Sequence, residues 1–511
     1  MNINLKKRDV TLKEIICSKY EQTKAECDLI VPDSKPDISK ILQVCGKAVV
    51  TQKIPQQDKV YIQGVIHLTV IYIPEGGGIK SIFTNLDFSC SAEAQGTDST
   101  SHIFAESELF EVDHSTLNSR KINIKCLVGI DIKTSRKTIA SLPTDFSEEC
   151  KVQAKYKDYK ISCISPEEEQ CFRFRERVEV PSGKPDICEM IKISASCSVE
   201  DLKYDNGKVS VSGDILLCAL YADEACNLIC MEETLPFSET LEGIALPEGE
   251  IEGSFLVSDI VFDLPEEPDG SRRAVNIDLL ICSALKSIEN VEVKGISDAY
   301  GLIYPVKIVS STYETESVTD KAITQIAHKE SVSVPDYLPE IFRVLDCSGE
   351  TRVTGISIDQ GRITVDGEIL SNIIYMSDGD NAPMSGLSHI SSFSQTIDTP
   401  YADKNSICEA KVELDHIGYN INSDREIELR FIVVLSVSTL KADTIEIIEE
   451  ISEDTDGVRP LISPATIYFA DEGETVWDIA KKYLVTPESI ISENNLEGDT
   501  LKKGQKICIF R

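Results

Sequence analysis

Apolar and polar residues alternate with period two through much of the chain. KVYIQGVIHLTVIY from Lys59, KVSVSGDILLCALY from Lys208 and RITVDGEILSNIIY from Arg362 each alternate around one glycine. Runs of this kind predict half-buried β structure, read here as a strand pair in each place. A glycine inside such a run marks a bulge or a close backbone approach, so Gly64, Gly213 and Gly367 are read as architectural rather than catalytic. Further along, RKINIKCLVGIDI from Arg120, RAVNIDLLICSAL from Arg273 and REIELRFIVVLSV from Arg425 repeat the alternation. Ahead of the first set, KPDISKIL, KPDICEMI and LPEIFRVL carry a proline, an acid beside it and apolar residues three and four apart. That spacing predicts the start of a short amphipathic helix.

These blocks belong to an internal repeat. Val31 to Tyr72, Val180 to Tyr221 and Val334 to Tyr375 align without a gap over 42 residues, and eight columns are identical in all three. They are Val31/Val180/Val334, Pro32/Pro181/Pro335, Pro36/Pro185/Pro339, Ile38/Ile187/Ile341, Val50/Val199/Val353, Gly64/Gly213/Gly367, Ile66/Ile215/Ile369 and Tyr72/Tyr221/Tyr375. Units of roughly 110 to 150 residues are long enough to bury a core each, unlike solenoid repeats. The expected architecture is multidomain: three β-rich, sandwich-like repeats over 1–165, 166–310 and 311–445, followed by a small α+β module over 465–511.

Between repeats and module, EIIEEISEDTD from Glu446 carries six acids and no base, and a proline-containing stretch follows. The segment 446–464 is therefore read as an acidic linker. The last 46 residues change character. Gly473 closes a strand, and Thr475 with Asp478 gives the capping pattern of a helix start. Val476, Ile479, Ala480 and Tyr483 then fall on one helical face. Thr486 and Pro487 open a second helix, and KICIF closes the module as a strand. The order is β-α-α-β.

Composition narrows the classes. With 51 Lys and Arg against 86 Asp and Glu, the net charge of −35 repels nucleic acid and anionic lipid. The first twenty residues hold no apolar stretch of secretory length, and the expectation is a soluble chain retained in a cytosol. The 17 cysteines include no C-x-x-C pair. Cys126, Cys218 and Cys282 lie in apolar runs and are read as free thiols packed as small hydrophobes. No phosphate-binding loop, nucleophile elbow or H-E-x-x-H motif occurs, and Gly76 to Gly78 sit in a polar hairpin. His114 and His416 are read as loop histidines, and Asp113, Asp263 and Asp415 as turn residues. No enzyme activity, cofactor or metal is expected.

The terminal module resembles the LysM family closely. The family pattern appears as Tyr468, Gly473-Glu474-Thr475, Ile479-Ala480, Tyr483, Asn494 and Gly504-Gln505-Lys506-Ile507-Cys508-Ile509. The resemblance implies binding of N-acetylglucosamine polymers in a shallow groove between two loops. Candidate groove or partner-binding residues are Asp471, Glu472, Gly473, Glu474, Thr475, Trp477, Asn494, Asn495 and Leu496. Three repeats of P-x-x-x-P-(Asp/Glu)-Ile type followed by one LysM module resemble the SipL family of clostridial spore-coat morphogenetic proteins, built from SPOCS domains. That resemblance implies a mother-cell scaffold at the forespore surface, partnered by a spore coat morphogenetic ATPase of SpoIVA type and other coat proteins. The alternative is a peptidoglycan-binding cell-wall protein. Trp477, the single tryptophan, lies at the edge of its helix's apolar stripe, which leaves open whether it extends the small core or anchors a partner.

Overall fold

A computed structural model describes residues 3–148, 150–359, 361–378, 383–400, 402–404, 406–454 and 463–510. Repeat 1 contains β1 (Leu5–Ile30), β2 (Ile38–Gln56), β3 (Lys59–Pro74), β4 (Lys80–Glu93), β5 (His102–Asn118) and β6 (Lys121–Phe146). Repeat 2 contains β7 (Val152–Ile164), β8 (Glu168–Glu179), β9 (Glu189–Asp205), β10 (Lys208–Ala222), β11 (Leu228–Glu242), β12 (Glu250–Asp263) and β13 (Ala274–Gly301). Repeat 3 contains β14 (Val306–Ser333), β15 (Arg343–Asp359), β16 (Arg362–Met376), β17 (Met384–Asp398), β18 (Ser406–Ser423) and β19 (Glu426–Glu453). The terminal module is β20 (Ala465–Phe469), α1 (Val476–Tyr483), α2 (Pro487–Asn494) and β21 (Lys506–Phe510), the expected β-α-α-β order.

Each repeat is a sandwich of two antiparallel sheets in one strand order. The sheets are β2-β3-β4 on β1-β6-β5, β9-β10-β11 on β8-β13-β12, and β15-β16-β17 on β14-β19-β18. The glycine-centred runs are therefore single central strands, not strand pairs. In repeat 2 the long edge strand is interrupted at Pro166, which has no N–H to give a ladder, and β7 pairs with the distal half of β13. This moves a boundary: β7 belongs to repeat 2, although its residues fall inside the expected first domain. The acidic linker is also shorter than expected. Glu446 to Glu453 are the end of β19 and pair with β14, because Ile447, Ile448 and Ile451 are buried beneath the acids; residues 455–462 lie outside the described residues.

The proline motif forms a turn and a strand, not a helix. In each copy a tight turn brings the N–H of Lys35, Lys184 or Leu338 onto the carbonyl of Pro32, Pro181 or Pro335, at 2.9, 3.1 and 2.9 Å. The acid does not serve a helix terminus; it faces the second sheet. Arg120 donates to Asp37 at 2.6 Å, and Arg273 to Asp186 at 2.6 Å, while Arg425 lies 3.5 Å from Glu340. The Arg120 guanidinium holds the Asp37 carboxyl below the usual range. Tyr72, Tyr221 and Tyr375 are fully buried, and their hydroxyls donate to Pro36, Pro185 and Pro339 at 3.1, 2.9 and 2.9 Å. The acid–arginine pair thus ties this loop to the second sheet, and the tyrosine hydroxyl fixes the loop on the first.

Bulges explain the misleading helical spacing. In repeat 1 the register of β2 on β3 slips between Ile38 and Lys40 and again between Ile41 and Gln43. An extra residue in a strand turns a period of two into an apparent three or four. Leu42 at the second slip, with Ile191 and Leu345 at the equivalent slips, points away from its own sandwich into a core shared by all three repeats. The invariant glycines meet a bulge too. Gly64, Gly213 and Gly367 face Phe88, Phe237 and Phe393 on one side. On the other side the partner strand slips, and a Cβ on Gly213 would stand 2.1 Å from the Ser198 carbonyl.

The three repeats close into a ring. Strand β4 lies against β9, β11 against β15 and β17 against β2. Leu42 and Ile71 of repeat 1, Ile191 and Leu220 of repeat 2 and Ile374 of repeat 3 form one shared core. The long ribbons β1–β6, β7–β13 and β14–β19 form another around Leu12, Leu142, Ile161, Val293 and Ile447. Cys282 is not a free thiol: it is disulfide-bonded to Cys171, its direct cross-strand neighbour. His114 and His416 lie in β5 and β18, not loops, and Asp113, Asp263 and Asp415 lie in strands, Asp415 at a bulge. Strand edges here are long enough to carry these positions through to the hairpin, which local composition does not reveal.

Candidate functional site: the LysM module and its seat

The module folds on its own caps. Thr475 and Asp478 form a reciprocal capping box at α1, and Thr486 caps α2 ahead of Pro487. The N–H and hydroxyl of Thr475 hold the Asp478 carboxyl below its usual range. The start of α1 is held by the chain that follows α2: Val476 N–H donates to Asp499 O at 2.9 Å, and Thr475 bridges to Thr500.

The nine candidate residues divide into two groups. Asp471, Glu472, Gly473 and Asn495 are exposed. Gly473 sits at φ +87° with open space around it, and Asn495 at φ 50° ends α2. The others hold the fold. Glu474 accepts from Tyr468 Oη at 2.9 Å and from the Asp471 N–H at 2.8 Å, which pushes the Tyr468 phenol upward. Thr475 is the α1 cap. Asn494 locks onto β21, donating to Cys508 O and accepting from Cys508 N–H, both at 2.7 Å. Leu496 packs on the module core.

Trp477 is neither at an open edge nor free for a partner. Its side chain is 7% exposed and seats against repeat 2. The Trp477 and Tyr300 rings meet edge-on at 4.9 Å. Indole Nε1 donates to Asp298 at 2.9 Å, and Lys481 Nζ lies 2.7 and 2.8 Å from the two oxygens of that carboxylate. Tyr300 Oη donates to Val485 O at 2.6 Å, and burial pushes its phenol upward. Asp298 and Tyr300 stand at the end of β13, just past a bulge. Sequence reading missed both. The only signal was indirect: an indole N–H that is buried needs an acceptor. Lys481 is engaged on Asp298, and Lys482 lies over the Tyr468 ring at 4.6 Å.

The exposed loops can therefore offer carbonyls, N–H groups and carboxylates to a ligand, while the opposite side of α1 is occupied. Among the described residues no group of three or more His, Cys, Asp or Glu could hold a metal ion.

Comparison with known families identifies two kinds of domain. Residues 37–117, 186–264 and 340–422 match the family described as SipL, SPOCS domain, and residues 471–510 match the LysM domain. These families are generally non-catalytic binding domains. No curated protein and no solved structure matches the chain. The chain has the SipL-like architecture of three SPOCS domains followed by a LysM domain, and it fits a sporulation coat-associated protein.

Proposed function

We propose that the chain is a non-enzymatic scaffold of spore coat assembly. Its LysM module binds a spore coat morphogenetic ATPase of SpoIVA type, and the ring of repeats helps localise the coat at the forespore surface, on the mother-cell side. The observation that carries this reading is the seated LysM module: α1 is fixed on repeat 2 while Asp471, Glu472 and Asn495 stay open to a partner. A module fixed on a large rigid body loses less freedom on binding than one on a free tether.

The test mixes the purified full chain with the purified coat ATPase and follows co-elution. Wild type should co-elute, and Glu472→Arg with Asn495→Ala should not, while both keep the same melting temperature. Equal co-elution of wild type and variant, or none with wild type, would overturn the reading. The LysM match equally supports glycan binding, so sedimentation with purified peptidoglycan belongs beside it. Pelleting of the full chain, lost in the same variant, would favour the glycan reading.

A further inference from the structure

The three proline-motif loops are built alike, yet one has diverged on its outer surface. All three share the same turn and the same staples, so equivalent positions answer to the same structural demands. Two exposed positions hold Ser34 and Ser39 in repeat 1 and Gly183 and Cys188 in repeat 2. Repeat 3 has Tyr337 and Phe342 there. They are 85% and 59% exposed, so most of each ring is left in water. Nearby, the Ile341 N–H donates to Asp424 O at the end of β18, bringing Ile421, 36% exposed, to the same end of the repeat. Two exposed aromatics on one nine-residue loop are a concentration of anchor residue types that the other loops lack.

Charge identifies the occupant. Asp336 and Asp424 flank the aromatics and are exposed with no ion pair among the described residues, two carboxylates against the one exposed arginine next to Phe342, Arg343. The chain as a whole is at −35, which repels a second copy of itself. We propose that the Tyr337–Phe342 loop of repeat 3 is a docking site for a basic segment of a partner protein, apolar side chains of that segment covering Tyr337 and Phe342 while its Lys or Arg residues meet Asp336 and Asp424. The site is separate from the LysM loops and stands whether or not the coat ATPase binds there.

The repeat itself supplies the control variant. Tyr337→Ser with Phe342→Ser gives repeat 3 the side chains that repeat 1 already folds with. The probes are three labelled twelve-residue peptides, alternating Lys-Leu, Lys-Ser and Glu-Leu, titrated against the full chain by fluorescence anisotropy at physiological salt. The expected result is that Lys-Leu binds wild type at least tenfold more tightly than the other two. Its affinity should fall at least tenfold in the serine variant, and also in Asp336→Asn with Asp424→Asn. Melting temperatures should not change. Equal Lys-Leu binding by wild type and serine variant would overturn the proposal, as would Glu-Leu binding as well as Lys-Leu. Self-association of wild type that the serine variant abolishes would assign the patch to a second copy and overturn it too.

Discussion

Releasing the LysM module from its seat should be possible without unfolding it, because the key residues lie on repeat 2. Tyr300→Ala with Asp298→Ala leaves every side chain of the module and the β13 ladder in place. The variant loses an edge-on aromatic pair worth about 0.5 to 1.5 kcal/mol. It also leaves the Val485 carbonyl without its donor, about 1 to 3 kcal/mol if water cannot replace it, and deprives the indole N–H of a charged acceptor, about 1.5 to 3 kcal/mol. The Lys481–Asp298 pair adds little, about 0.2 to 1 kcal/mol, since both side chains are partly open to water, at 44% and 28%. Neighbouring contributions overlap, so about 3 kcal/mol is a fair net loss, or roughly a hundredfold in the docking equilibrium. Trp477 reports the outcome directly, being the only tryptophan. In wild type its emission should be blue-shifted and poorly quenched by acrylamide. In the variant it should shift red and quench strongly, while the amide circular dichroism stays that of a folded β protein. A double variant whose tryptophan remains shielded would show that the seat does not depend on these contacts, and the reasoning would fail.

Two further outcomes follow from the repeats. Gly213→Val should lower the melting temperature of the full chain by more than 5 °C, because its Cβ would stand 2.1 Å from the Ser198 carbonyl, backbone that cannot swing aside; an unchanged melting curve would contradict the packing. Thiol reactivity should be ordered by surroundings: Cys188 and Cys226 are exposed and should alkylate first, ahead of Cys230, whose thiol is pushed up by burial and by Glu232. Burial pushes Cys45 up to about 11 and Cys347 up to about 12, so at pH 8 both are almost wholly protonated and should react last. Mass spectrometry of a timed iodoacetamide reaction reads that order.

Much of this fold is legible in the sequence, and the failures have physical causes. Alternation located the central strands, since β3, β6, β10, β13, β16 and β19 are half-buried along their whole length. Capping residues located both helices, because caps are local chemistry. The proline motif misled because bulges in β2, β9 and β15 direct Leu42, Ile191 and Leu345 to a second core, and a strand feeding two cores imitates helical spacing. Counting acids from Glu446 hid the isoleucines between them, which mark the strand. In the LysM module the family pattern picked out the right loops, but family residues serve the fold as often as the ligand. Glu474, Thr475 and Asn494 spend their polar groups on the module itself. Trp477 was singled out for being rare, yet its partners Asp298 and Tyr300 lie 179 and 177 residues upstream in repeat 2, a distance at which no pattern in one sequence speaks.

The ring raises a problem that the sequence solves at equivalent positions. Three identical interfaces would let a chain open and pair its repeats with those of another copy as readily as with its own. Here each junction has its own chemistry. Lys40, Glu189 and Arg343 occupy the same place in the three repeats. Glu189 receives Lys35, at 2.7 Å, and Lys80 from repeat 1, whereas Lys40 reaches Ser385 of repeat 3 at 2.9 Å. Another such set is Gln43, Lys192 and Asp346, in which Lys192 and Asp346 join repeats 2 and 3 at 3.3 Å. A repeat placed at the wrong junction would set lysine against arginine or leave a half-buried carboxylate without its cation, an error that costs more than the correct pair contributes. Divergence among the repeats therefore does two separate jobs: at the inner positions it fixes which repeat meets which, and at Tyr337 and Phe342 it leaves one outer loop unlike its siblings and free to recognise something else.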